Sequence, residues 1–224
     1  AWVWSCFKLT NGYISSIVNS IENRQLNLDE IEFSIDDTNT VKTLDSALLE
    51  KNELKQLFAI DLLWNLPLNP WKDSLEFLFT KGSLPIQRAI LELTWNKPDI
   101  ISDQLIIYKI KKEDDISPYA LMCANDRGLK NDITKLDNYL NHYNNSLRIA
   151  YAVTLLSNDK ESKISEELIN RIHKSKIVEN QIELIGFLKR HPHLLSSIYV
   201  TNYLQNGNIE IKNEMLRFLI NNPN

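Results

Sequence analysis

The amino-acid sequence predicts an all-α protein: a right-handed α-α superhelix, or α-solenoid, of stacked helix pairs with a period near 31 residues. Three observations carry that expectation. Among 224 residues only five are Gly and seven Pro, fewer turn residues than an all-β sandwich or barrel with many short hairpins requires. Pro67, Pro98, Pro192 and Pro223, which end runs of helix-type sequence, are separated by 31, 94 and 31 residues, and 94 is close to three times 31. Ala59, Ala89, Ala120 and Ala150, read as lying in the first helix of successive units, recur at steps of 30, 31 and 30. Self-similarity at such a period marks repeat architectures, in which one helix pair cannot bury its own apolar face and its neighbours stack to cover it.

The elements follow in chain order. Residues 1–37 read as an N-terminal helix near 4–22 and an acidic linker, and residues 38–224 as one continuous helical domain. Helices are expected near 38–50, 52–65, 70–81, 84–96, 100–112, 116–125, 128–142, 145–158, 162–174, 176–190, 193–205 and 208–221. Their apolar spacing is helical: Leu147, Ala150, Tyr151, Thr154 and Leu155 follow i, i+3, i+4, i+7, i+8, and Ile86, Ala89, Ile90 and Leu93 as well as Val178, Ile182, Ile185 and Leu188 offer the same single stripe for burial. Asp37 or Thr38 is expected to cap the helix after the linker. Asn69 followed by Pro70 reads as an N-cap and a first helical proline. Gly82 suits a left-handed residue after a helix end, and Ser83 the cap of the next helix. "KIKKEDD" around Lys111 reads as a helix end followed by a capped start.

The stretch "ALLEKNELKQLFAIDLLWNLPLNPWKDSLEFLFTKGSLPIQRAILEL", Ala47 to Leu93, resembles HEAT repeats: a helix ending in Leu-Leu, a short turn, a second helix, and a charged residue, Arg88, opening the next. The tetratricopeptide and ankyrin signatures are missing although their periods are close to 31. Together with the aromatic "AWVWSCFKLTNGYISSIVNSI" at the start, "TVKTLDSALLEKNELKQLFAIDLL" is also similar to the soluble HEAT-like module that follows the membrane domain of some bacterial ATP/ADP-carrier-like and major-facilitator-like transporter proteins. That resemblance covers roughly residues 1 to 125. It implies an armadillo-type solenoid that couples or positions a membrane domain and transports nothing itself.

Totals narrow the function further. A net charge of −4 and a pI near 5.6 supply no basic field for a phosphate backbone, so nucleic acid is not an expected partner. Cys6 and Cys123 stand alone, which argues against a disulfide framework or structural zinc and for a reducing compartment. No apolar run approaches the about 20 residues of a membrane span. The beginning, without an initiating Met or a signal-like region, and the end at "FLINNPN" both read as cuts from a longer protein. A cytoplasmic module, tethered to a membrane through a preceding domain, is the expectation.

No residue is assigned a catalytic, cofactor-binding or metal-binding role. Trp64 and Trp95, in "LLWNLPLN" and "LTWNKPDI", end two helices and are expected to be buried plugs where repeats meet, with Asn65 and Asn96 satisfying free carbonyls. His191 and His193 in "KRHPH" are too few for a zinc site, and Lys189, Arg190 and His191 suit the negative end of a helix dipole. Cys123 reads as core and Cys6 carries no signal. Asp29, Glu30, Glu32, Asp36 and Asp37 lack the order of a calcium loop. Asp61, an acid amid Leu57, Phe58, Ile60, Leu62 and Leu63, either faces a partner's cation or bonds across the inter-repeat turn, the latter being preferred. Phosphate-loop, nucleophile-elbow, HExxH and kinase signatures are missing.

The expected function is therefore a non-catalytic protein-interaction or regulatory scaffold, without a cofactor, whose partner is another protein or a neighbouring domain and whose binding face the sequence leaves open. The alternative is an enzyme on the same scaffold, such as a HEAT-like DNA glycosylase, which would need a groove lined with Lys and Arg.

Overall fold

A computed structural model describes residues 38–129, 142–158 and 163–221. The described residues form eleven α-helices and no strand, an all-α chain. The expected helices near 4–22 and 128–142, the acidic linker and Pro223 lie outside the described residues. None of the described helices is long and apolar enough to cross a membrane. The chain divides into two compact units, Ala1–Ser102 and Asp103–Asn224.

The first unit contains α1 (Thr38–Leu49), α2 (Glu53–Leu62), α3 (Lys72–Lys81) and α4 (Leu84–Leu93). Asn52 starts α2 as its N-cap, its side-chain oxygen accepting from Leu54 N at 3.0 Å and Lys55 N at 3.2 Å, so two amides that the helix leaves free are satisfied locally. Helix α1 packs on α2 and α3 on α4, while α1 also meets α3 and α2 meets α4. Two hairpins thus lie side by side with like helices in contact. Leu48, Leu63, Leu75, Phe79, Ile86 and Ile90 are fully buried, and Leu75 with Phe79 and Ile86 with Ile90, each four residues apart, lie on one face of their helix. Trp71 bolts the hairpins together: its ring is buried and Nε1 donates to Val41 O at 3.0 Å.

Several local expectations change. Asn69, Pro70 and Trp71 form a 3-10 turn, and α3 starts only at Lys72, so Asn69 is not the cap of an α-helix. The Ser83 hydroxyl makes no cap bond and donates instead to Glu53 Oε2 at 2.5 Å. Because the short Gly82–Ser83 connection closes α3 onto α4, Ala59 and Ala89 fall in the second helix of each hairpin, not the first. Gly82 adopts φ −67°, ψ 169°, extended backbone open to any residue. Room, not handedness, demands glycine: a Cβ there would stand 2.6 Å from Leu78 O and 2.8 Å from Ile86 Cγ2.

Gly82→Ala is accordingly expected to destabilise the first unit by about 1–2 kcal/mol. Reduced freedom of the unfolded chain favours Ala by about 0.4–1 kcal/mol, but overlap with a helix-end carbonyl costs about 1–3 kcal/mol and wins. All five tryptophans lie before Ser102, so urea unfolding followed by Trp fluorescence reports on this unit; an unchanged or higher midpoint would refute the steric account.

The second unit contains α5 (Asp103–Lys112), α6 (Ser117–Asp126), α7 (Asn145–Asn158), α8 (Lys163–His173), α9 (Val178–Leu188), α10 (Ser197–Asn206) and α11 (Ile209–Asn221). Helices α6, α7, α9 and α11 contact one another in succession, α5 packs on α6, α8 lies against α7 and α9, and α10 against α11. Helix α7 is central and buried on most of its surface, from Leu147 to Leu156. Left-handed residues occur at Glu113 (φ 54°) and Gly128 (φ 78°). At Gly128 the chain ends α6 with Leu129 N donating to Ala124 O at 2.9 Å, the six-to-one bond of a Schellman turn. The start of α6 is held by Ser117 Oγ, which donates to Lys109 O at 2.8 Å and lies 3.0 Å from Asp114 Oδ1. Arg127 meets Asp103 at 3.0 Å and ties the end of α6 to the start of α5. Gly207 repeats the geometry of Gly82 between α10 and α11, where a Cβ would collide with Tyr203 O and stand 2.9 Å from Ile211 Cγ2.

Candidate functional site

Two of the concavities combine aromatic with ionisable side chains. The first lies on the first unit between α2 and α4, has a volume of about 570 Å³, and is lined by Leu54, Leu57, Phe58, Asp61, Trp64 and Glu92 among others. Leu54, Leu57, Phe58 and Asp61 follow i, i+3, i+4, i+7 along α2, which brings them to one face. Trp64 sits just beyond, in the 3-10 turn Leu63–Asn65.

Trp64 corrects the sequence expectation. Half of its surface is exposed (50%), whereas Trp95 is buried (7%). The same words, Trp-Asn-Xaa-Pro, are built on different backbones. At Trp64 the α-helix has already tightened to 3-10 geometry, which rotates each residue farther around the axis. At Trp95 the helix has stopped, and Thr94 Oγ1 donates to Ile90 O at 2.7 Å. Asn65 and Asn96 make no side-chain hydrogen bond among the described residues, so they do not satisfy the helix-end carbonyls. Asp61 is exposed in the groove and its carboxylate has no hydrogen bond or ion pair with any described residue, so the expected side-chain bond across the turn is not formed. Glu92, on the facing helix, is likewise exposed and without a side-chain partner among them. No Lys or Arg lines this groove.

The second concavity, about 410 Å³, lies on the second unit between the end of α8 and the start of α10, and His173, Tyr199, Glu166, Asn170 and His193 contribute to it. Nothing local in the sequence marks His173, the last residue of α8. It is 3% exposed. Tyr203 hydroxyl bonds to its Nδ1, and the Tyr199 ring stacks on it at a centroid distance of 3.7 Å and 11°. Tyr199 OH in turn donates to Asn170 Oδ1 at 2.7 Å. Burial lowers the His173 pKa from 6.5 to about 4 and raises that of Tyr203, so at neutral pH the imidazole is neutral and the phenol protonated. With the phenol as donor, Nδ1 accepts and Nε2 carries the proton.

The remaining candidates are dispersed. Cys123 is fully buried on α6, and desolvation pushes its thiol up to about 12, leaving no thiolate to act as a nucleophile. His191 and His193 face edge to face at 6.1 Å, and His191 Nε2 stands 3.2 Å from Asp126 Oδ1 without the angle to donate a hydrogen bond. Helix α9 ends at Leu188, so Lys189, Arg190 and His191 follow it instead of occupying its last turn; Lys189 pairs with Glu214 at 2.5 Å. Among the described residues no three His, Cys, Asp or Glu side chains are grouped to hold a metal ion. Lys111 lies in the last turn of α5, where its charge suits the helix end.

Set against protein-family models, curated proteins and solved structures, the chain matches none.

Proposed function

We propose that the chain is an α-solenoid of HEAT-like helix pairs acting as a non-catalytic protein-interaction or regulatory scaffold. The observation that carries the binding role is the groove on α2 and α4, where an exposed tryptophan and leucine lie beside two carboxylates that have no partner among the described residues. Large aromatic side chains left in water at a concave surface mark protein contacts more often than they mark folding. The repeat reading is supported by side-chain bonds between residues about one period apart. Trp71 and Val41 are 30 apart, Ser83 and Glu53 30, Asn125 and Ser157 32, and His173 and Tyr203 30. Side-by-side hairpins with like helices in contact, as in the first unit, give that spacing its geometry. In this reading the chain is the cytoplasmic module of a larger, transporter-like membrane protein, and its partner is another protein or a neighbouring domain.

Site-specific photo-crosslinking tests the scaffold role. A photoreactive amino acid at position 64, with the protein expressed in its own cells, is expected to trap a discrete adduct. One at Phe77, equally exposed but outside the groove, is expected to trap none. Equal adducts from both positions, or none from either, would argue against it.

A further inference from the structure

Asp61 and Glu92 specify what the groove takes. We propose that the face formed by α2 and α4 receives an amphipathic helix of a protein partner, its apolar side packed on Leu54 and Trp64 and its Lys or Arg side chains meeting Asp61 and Glu92. The inference rests on the scaffold reading and adds the chemistry of the partner.

Shape favours a helix. The apolar row runs from Leu54 to Trp64, about 15 Å at helical rise, which matches three turns of a partner helix. Two neighbouring helices in contact present a furrow into which the ridge of a third can settle. The described residues form no strand and so offer no sheet edge to an extended peptide.

Charge selects among helices. A neutral apolar helix laid over the groove would strip water from both carboxylates and return nothing, a cost that grows as the surface dries. A cation at each carboxylate offsets that desolvation and fixes the register. None of the residues lining the groove supplies such a cation: they include no Lys or Arg, and Lys55, on the same helix, is already paired with Glu50 at 3.0 Å. The same carboxylates repel an anionic lipid surface, so the occupant is a protein and not a membrane.

The test uses the whole 224-residue chain and two fluorescein-labelled 14-residue peptides. One carries Leu at i, i+3, i+4, i+7 with Lys at the flanking positions, and the other has every Lys replaced by Glu. Fluorescence anisotropy is expected to show saturable one-to-one binding of the Lys peptide, with the Glu peptide about tenfold weaker or more. Asp61→Asn with Glu92→Gln should abolish that preference, Trp64→Ala should weaken the Lys peptide about tenfold or more, and Glu167→Gln with Glu179→Gln, exposed on the second unit, should change nothing. All these side chains are exposed, and unchanged far-UV circular dichroism establishes that the variants fold. Equal binding of the two peptides, indifference to the Asp61/Glu92 change, or an equal loss from the Glu167/Glu179 change would overturn the proposal. So would binding of phosphatidylserine vesicles that Trp64→Ala removes, or binding of the Lys peptide only after residues 1–37 are deleted. If neither peptide binds while position 64 still captures a partner by crosslinking, the charge assignment falls and the scaffold reading survives; if position 64 also captures nothing, both fall.

Discussion

Trp71→Ala is expected to remove about 3–5 kcal/mol from the stability of the first unit, the range for truncating a large buried aromatic. Trp71 is 1% exposed and is held in a 3-10 turn at the entrance to α3, from which its indole reaches back to the backbone of α1. Alanine leaves a cavity at the point where the two hairpins meet. It also abandons the bond to Val41 O, a contribution of about 1 kcal/mol. Against a typical total of about 5–15 kcal/mol for a domain, that loss brings the unit close to unfolding. Trp71→Phe separates the terms, since it keeps most of the ring and loses the donor, and about 1–2 kcal/mol is the expected cost. Urea denaturation followed by the remaining tryptophans measures both. A loss for Trp71→Ala no larger than that for Trp71→Phe would show that the ring does not hold the hairpins together.

The second unit is expected to lose stability on mild acidification. His173 titrates near 4 in the folded chain, lowered from 6.5 by burial. Between those values the unfolded chain binds a proton that the folded chain refuses. The sign follows: stability from this group is fully present above about pH 6.5, declines as pH falls, and is gone by about pH 4. A displacement of that size corresponds to about 3 kcal/mol. Glu166 and His193 share the concavity, and Tyr199 and Tyr203 contact the ring, so the comparison must isolate the imidazole. His173→Gln keeps a polar side chain that does not titrate. Its unfolding free energy, followed by far-UV circular dichroism, should be lower than wild type at pH 7.5 and flatter between pH 6.5 and 4.5. Parallel pH profiles for the two proteins would place the titrating group elsewhere.

How much of this was legible in the sequence depends on the range over which each interaction acts. The helix ends near Asn52, Gly82, Lys112 and Leu188 could be read within a few residues, because caps, prolines and glycines exert their effects over one turn of chain. Burial of Cys123, Leu147, Ala150, Tyr151 and Thr154 followed from helical spacing, whereas Leu155 is half-buried and Ile149, Ala152, Val153 and Leu156, outside that stripe, are buried as well. Trp64 did not follow. Whether the helix continues as α or tightens to 3-10 at Leu63 decides which way residue 64 points, and the two Trp-Asn-Xaa-Pro words give the same local signal. Gly82 was recognised as a turn residue for the wrong reason: the carbonyl and the isoleucine that crowd it come from the helices on either side. His173 went unnoticed because its partners, Tyr199 and Tyr203, lie 26 and 30 residues away.

The sequence by itself determined an all-α chain, the approximate bounds of its described helices and many of the apolar positions those helices bury. Turn chemistry and apolar periodicity are local and act before any tertiary contact exists. Only the tertiary structure decided that Asp61 and Glu92 share one groove beside an exposed Trp64, and that a tyrosine hydroxyl closes on a buried neutral histidine. Those arrangements depend on which residues of neighbouring helices, about 30 positions apart, meet face to face, and packing alone selects them.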